Sequence, residues 1–169
     1  MAIDDLKVTV ITDANILINF HHIQQLPLLG VLLPYRFSVP LEVVNEIVDE
    51  QQRASVRAAL AAGHLRIFEI DDLDALALFS ELRDSMGRGE AACLAVAATQ
   101  GHHIASDEKK KFRRTAIELI GEAKILRTQD LMLHAIRSRK ITVEQADGFK
   151  EILATKRYVM AFGSFGEFV

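Results

Sequence analysis

The chain has 169 residues, 50% of them hydrophobic and 25% charged, which suits one domain with a sizeable core and excludes a disordered chain. Its net charge of −3 excludes a uniformly basic nucleic-acid coat, and a single cysteine, Cys93, excludes an internal disulfide framework or a multi-cysteine zinc site. No apolar run reaches the roughly 18 to 20 residues that span a bilayer, and the opening MAIDDLK lacks a basic segment followed by an apolar one. The expectation is a protein of a reducing compartment such as the cytoplasm, with no membrane partner.

In chain order, KVTVIT (7–12) reads as a strand, and it runs straight into Asp13. A carboxylate at the edge of such an apolar stretch costs several kcal/mol unless it is solvated, paired or bound to a cation. RFSVP (36–40) is the second strand, followed by a helical pattern in LEVVNEIVDEQQ (41–52). That helix offers Glu42, Glu46, Asp49 and Glu50; at 100° per residue Glu46 lies about 60° beyond Val43 and Glu42 about 100°, so Glu46 borders the buried face more closely. LRIFEI (65–70) is a third strand and LDALALFSELRDS (73–85) a helix.

Next comes MGRGEAACLAVAATQG, in which every residue from Ala91 to Ala98 is apolar and Glu90 is the one charge near the helix start. An acid there also suits the helix dipole, worth about 0.3 to 1 kcal/mol. HIAS (103–106) is a fourth strand ending at Asp107, followed by KKKFRR, which places Lys109, Lys110, Lys111, Arg113 and Arg114 together. A helix around FRRTAIELI, a strand AKILR (123–127), and helices DLMLHAIRSR and VEQADGFKEILATKR complete the pattern before the tail AFGSFGEFV. Strands alternating with helices signal a parallel sheet of about five strands covered on both faces, a three-layer α/β fold. Ligands of such sheets bind beyond the carboxyl ends of the strands, where Asp13 and Asp107 both project.

Carboxylates gathered at one rim repel each other unless a cation holds them. An all-oxygen site favours a hard ion such as Mg²⁺ or Mn²⁺ over Zn²⁺. His21/His22 and His102/His103 are adjacent pairs without the i, i+4 spacing of a helical metal site, and Cys93 within an apolar helix reads as packing.

The ordered series TDANILINF, VPLEVVNEI, GRGEAACLAVA and IASDEKKKFRR resembles the PIN-domain ribonucleases, including the VapC-type toxin nucleases, over about residues 8 to 160. The resemblance implies a PIN-like (Rossmann-like) fold and makes Asp13, Glu46, Glu90 and Asp107 the catalytic and metal-ligating set, with Mg²⁺ or Mn²⁺ as cofactor. It gives Asn15 a supporting hydrogen-bond role, with Thr12 and Ser106 as the remaining polar neighbours. Asp130, where some members carry an acid, reads as an N-terminal helix residue, and Arg127-Thr128 replaces the Gly-Thr often found there. The implied reaction is metal-dependent hydrolysis of RNA phosphodiesters, with Lys109, Lys110, Lys111, Arg113 and Arg114 holding flanking phosphates. A toxin role would add an antitoxin partner. A noncatalytic RNA- or protein-binding module is the competing reading, against which the four retained acids count. An aspartyl-phosphate phosphotransferase ranks lower, because Asn15 stands where a second Asp is usual.

One domain is expected over 1–169, with residues 161–169 as a C-terminal tail. The glycines between Phe162, Phe165 and Phe168 oppose a continuous helix there. Such a tail either packs on its own core, frays, or docks on a second subunit or an antitoxin-like partner.

Overall fold

The computed structural model describes residues 6–169. The reading of residues 1–5 as free of a targeting segment lies outside the described residues. Five strands, β1 (Val8–Thr12), β2 (Tyr35–Pro40), β3 (Arg66–Phe68), β4 (His103–Ala105) and β5 (Ile125–Leu126), form one all-parallel sheet in the order β3-β2-β1-β4-β5. Helices α1 (Ala14–His22), α2 (Leu41–Glu46), α3 (Glu50–Ala61), α4 (Leu73–Leu82), α5 (Arg88–Gln100), α6 (Lys110–Ile120), α7 (Thr128–Arg137) and α8 (Val143–Thr155) flank it. The all-parallel five-stranded sheet flanked by helices is the three-layer α/β fold expected from the alternation of strands and helices. Among the described residues no helix is long and apolar enough to cross a membrane.

The topology explains where a site forms. From β1 the chain builds outward through β2 to β3, then returns to place β4 on the other side of β1, so the winding reverses between β1 and β4. Connections leave these two strands in opposite directions, opening a crevice above their carboxyl ends. Register brings the two rims level: Thr12 pairs with Ala105, the Asp13 N–H donates to the Ala105 carbonyl at 3.1 Å, and the Ser106 N–H donates to that of Leu126 at 2.9 Å.

Val10, Ile11, Phe37, Val39 and Ile104 carry the sheet's part of the core. Against the sheet packs α5, whose residues Ala91–Ala97 are all fully buried. Small side chains let this helix lie close to the sheet, and Gly101, left-handed at φ 70°, ends it as only a residue without Cβ does at low cost.

One expected element divides. The helical pattern of 41–52 is broken after Glu46, where Ile47 turns to ψ 105°, and a second helix begins at Glu50. Asp49 caps that new start, its Oδ1 accepting from the Gln52 N–H at 2.9 Å. An N-terminal cap satisfies a donor that helix continuation would have occupied, so Asp49 and the extended backbone of Ile47 separate α2 from α3.

The tail lies on the domain itself. Phe165 is buried, and Phe162 meets the rings of Phe165 and Phe168 edge-on at 4.9 and 5.0 Å. Asp147 on α8 holds the chain there, accepting from Ser164 Oγ at 2.6 Å and the Phe165 N–H at 2.8 Å. The Ser164 hydroxyl also accepts from the Gly166 N–H, capping a short 3₁₀ turn over Phe165–Phe168. Ser164→Ala should therefore cost about 1 kcal/mol, the usual value of such a cap, read as a lower urea midpoint at unchanged m-value.

Candidate active site

Asp13 occupies the first position beyond β1 and serves two structures at once. Its Oδ1 caps α1 by accepting from the Ile16 N–H at 3.0 Å, and its Oδ2 accepts from Ser106 Oγ at 2.5 Å. The residue is only 4% exposed, and its carboxyl is pushed up to about 7, mainly by burial and to a smaller extent by Asp107 and Glu108, against the lowering effect of the Ser106 and Ile16 hydrogen bonds. Thr12 is fully buried and donates to the Asp13 carbonyl at 3.3 Å. Ser106 also accepts from the Glu108 N–H at 3.1 Å, so one hydroxyl ties the end of β1 to the turn after β4.

Glu46 and Glu90 reach the same place from α2 and α5. The two helices touch at Gly89, whose N–H donates to Glu46 Oε1 at 2.7 Å. A Cβ at position 89 would fall upon the Glu46 carboxylate and 3.2 Å from Val43 Cγ2, so glycine is what lets that carboxylate lie where it does. Glu90 sits at the third position of α5 and its Oε2 accepts from the Gly87 N–H at 3.1 Å. The helix-start role and the crevice position coexist.

The structure then separates two neighbouring acids. Asp13, Glu46, Glu90 and Glu108, with Asn15 and Gly89, line a small cavity of about 180 Å³ that has no lysine or arginine in its wall. Asp107 faces a larger adjoining cavity of about 610 Å³. Its carboxylate is saturated: Oδ1 accepts from the Thr128 N–H at 2.9 Å and Tyr158 OH at 2.7 Å, and Oδ2 from Thr128 Oγ1 at 2.5 Å and Asn19 Nδ2 at 3.0 Å. Of the four acids expected together, three line the small cavity, and the fourth acid there is Glu108, which the sequence reading did not single out. Asn15 donates to Glu108 Oε1, so its hydrogen-bond role is exercised on Glu108. Glu108 lines both cavities, and burial followed by the charge of Glu90 raises its pKa.

Cys93 is buried beneath this site, its thiol directed at the Thr12 carbonyl at 3.6 Å and its pKa pushed well up by burial and then by Asp13 and Glu46. It is packing. Asp130 closes the first turn of α7 by accepting from the Arg127 N–H at 2.8 Å.

The basic run divides around α6. Lys109 and Arg113 line the 610 Å³ cavity, Lys110 and Arg114 a shallower hollow beside Ile117, and Lys111 lies exposed away from both. Three cations outside the basic run join the larger cavity: Arg127 before α7, and Lys156 and Arg157 after α8.

A wall whose ionisable groups are all carboxylates, with no lysine or arginine, has the donor chemistry that suits a hard divalent ion. Four carboxylates share it, one is almost wholly buried, and two have raised pKa values that a bound cation would reverse. As placed, no three potential ligands among the described residues stand close enough to enclose an ion.

A parallel sheet with acids gathered at its β1/β4 crossover is an α/β architecture with an acidic crevice at the strand ends. The chain belongs to the PIN-domain family, whose model matches residues 9–161. PIN domains are generally nucleases and typically use divalent metals. No curated protein matches the sequence.

Proposed function

We propose that the protein is a divalent-metal-dependent endoribonuclease that hydrolyses phosphodiester bonds in single-stranded RNA. The observation that carries this reading is the cation-free cavity in which Asp13, Glu46, Glu90 and Glu108 converge at the sheet's crossover. Asp13, Glu46, Glu90 and Glu108 are the groups that would hold Mg²⁺ or Mn²⁺. The ion would supply activation of a water and neutralisation of charge on the phosphate. Ser106 and Asn15 orient the carboxylates of Asp13 and Glu108, and buried Thr12 and Cys93 keep the floor of the site dry. Basic groups beside the acids supply the attraction that draws a polyanion towards a negatively charged pocket. Unstacked nucleotides can enter such a crevice, which favours single strands. The motif resemblance extends the proposal to a cytoplasmic toxin whose partner is a protein antitoxin.

The test is cleavage of a labelled single-stranded RNA by the purified protein with Mn²⁺ or EDTA. Metal-dependent cleavage supports the reading; cleavage that persists in EDTA sinks it. Glu108→Gln removes a charge from the small cavity and is expected to weaken Mn²⁺ binding by about 10- to 100-fold, followed by titration calorimetry. Affinity unchanged in that variant would remove Glu108 from the ion's surroundings.

A further inference from the structure

The 610 Å³ cavity adjoins the acidic one, shares Asn15 and Glu108 with it, and has the opposite character. Lys109, Arg113, Arg127, Lys156 and Arg157 line it against Asp107 and Glu108. Arg113 and Arg127 already have acidic partners, Glu122 at 2.9 Å and Asp130 at 3.3 Å. Lys109, Lys156 and Arg157 make no ion pair among the described residues. Unpaired cations on a wall beside an acidic centre attract the parts of a polyanion that the centre does not hold. Size separates the two spaces as well: 180 Å³ is below the range of roughly 300 to 1,000 Å³ that holds small organic ligands, and 610 Å³ is within it.

The C-terminal wall is held in place by Asp107. After α8 the chain reverses at Arg157, left-handed at φ 67°, and the Tyr158 N–H returns to the Leu153 carbonyl at 3.0 Å. The turn delivers the Tyr158 hydroxyl to Asp107, which also grips Thr128 at the start of α7 and Asn19 on α1. Burial and the adjacent Asp107 charge raise the Tyr158 pKa, so the phenol remains a donor. Residues 156–158 are thereby pinned to the rim of β4, although they lie about 50 positions away in the chain.

We propose that this cavity binds the backbone phosphates flanking the cleaved bond of a single-stranded RNA, through Lys109, Lys156 and Arg157, with Asp107 as the positioning residue of its C-terminal wall. The inference rests on the ribonuclease reading for its substrate, and its test measures binding without cleavage. A fluorescein-labelled single-stranded RNA is titrated with the full chain in EDTA, with anisotropy read across a salt series. Lys156→Gln with Arg157→Gly removes two cations while keeping the left-handed turn, which glycine adopts freely.

Each lost phosphate contact lowers the slope of log affinity against log salt by about 0.7 for a single strand, so the double variant should lose about 1.4 in slope. Between about 50 and 200 mM salt, wild-type affinity should then fall about sevenfold more than that of the variant. An unchanged slope overturns the subsite. Tyr158→Phe, which deletes one donor to Asp107, should weaken RNA binding in the wild-type background and add nothing in the Lys156→Gln, Arg157→Gly background. Equal losses in both backgrounds overturn the positioning role. RNA that binds with this salt dependence yet is never cut in Mn²⁺ would remove the ribonuclease reading and leave the subsite standing.

Discussion

Asp13→Asn should abolish RNA cleavage and, in metal-free buffer, make the protein more stable. The two effects have one cause. The native carboxyl is pushed up to about 7 from an ordinary value of 3.8. Its native pKa exceeds its unfolded one, so the folded state retains the proton longer, and stability falls as pH rises from about 4 to about 7. Above that window the full cost of burying the ionised group applies, about 4 kcal/mol for a shift of roughly three units. Asparagine never ionises. It can still accept the Ile16 N–H as a helix cap, and its amide can donate to Ser106 Oγ in place of the bond that Ser106 now gives.

The expected result at pH 8 with EDTA is a gain of about 2 to 4 kcal/mol for the variant, shrinking towards zero near pH 4. Cleavage should drop by about a thousandfold or more, since a cation held at the reacting phosphate supplies several kcal/mol. Adding Mn²⁺ should raise the melting temperature of wild type alone, by ligand linkage. Cleavage within tenfold of wild type would show that Asp13 takes no part in the reaction. A stability difference independent of pH would disprove the desolvation account. A site stabilised by removing its own acid is the trade-off expected where charge has been buried for use.

Much of this arrangement was legible in the sequence because it is local. A strand running into Asp13, a second running into Ser106 and Asp107, and an apolar helix opening with Glu90 each declare themselves within a dozen residues. The alternation of strands and helices then brings the strand ends to one rim. Contacts made across the chain were less legible. Asp107 and Glu108 are adjacent, and which carboxylate turns to which cavity depends on Thr128, Tyr158 and Asn15, which come from three other segments. Lys156 and Arg157 close the helical pattern VEQADGFKEILATKR, and nothing nearby in sequence records that Tyr158 is anchored to the rim of β4. The break between α2 and α3 did leave a signal: Asp49 followed three residues later by Gln52 is a capping signature, and the apolar positions of the pattern stop at Val48 just ahead of it.

Gly89→Ala should disable the site from outside the set of acids. In an ordinary helix interior this change would help by about 1 kcal/mol, because glycine loses more freedom on folding. Here the new Cβ would meet the Glu46 carboxylate and stand 3.2 Å from Val43 Cγ2, at the contact where α2 crosses the start of α5. Relieving the overlap means turning Glu46 out of the cavity or moving α2 away from the buried helix. Glu46 is exposed and its carboxylate is the far end of a flexible side chain, so turning it aside costs little beyond the bond it accepts from the Gly89 N–H, about 1 kcal/mol, whereas a displacement near 1 Å at a reacting centre costs about a hundredfold in rate. The expected outcome is therefore a variant whose stability changes little, the helix gain offsetting the lost bond, with cleavage reduced about a hundredfold. Truncating the obstructing side chain should uncover the helix gain. In a Glu46→Ala background the carboxylate is gone, and Gly89→Ala should become favourable by up to about 1 kcal/mol. Chemical denaturation of the four proteins measures this cycle. An equal stability change in both backgrounds would place any strain on Val43 or the backbone; a gain confined to the Glu46→Ala background would show that Gly89 is there to let a carboxylate lie against a helix.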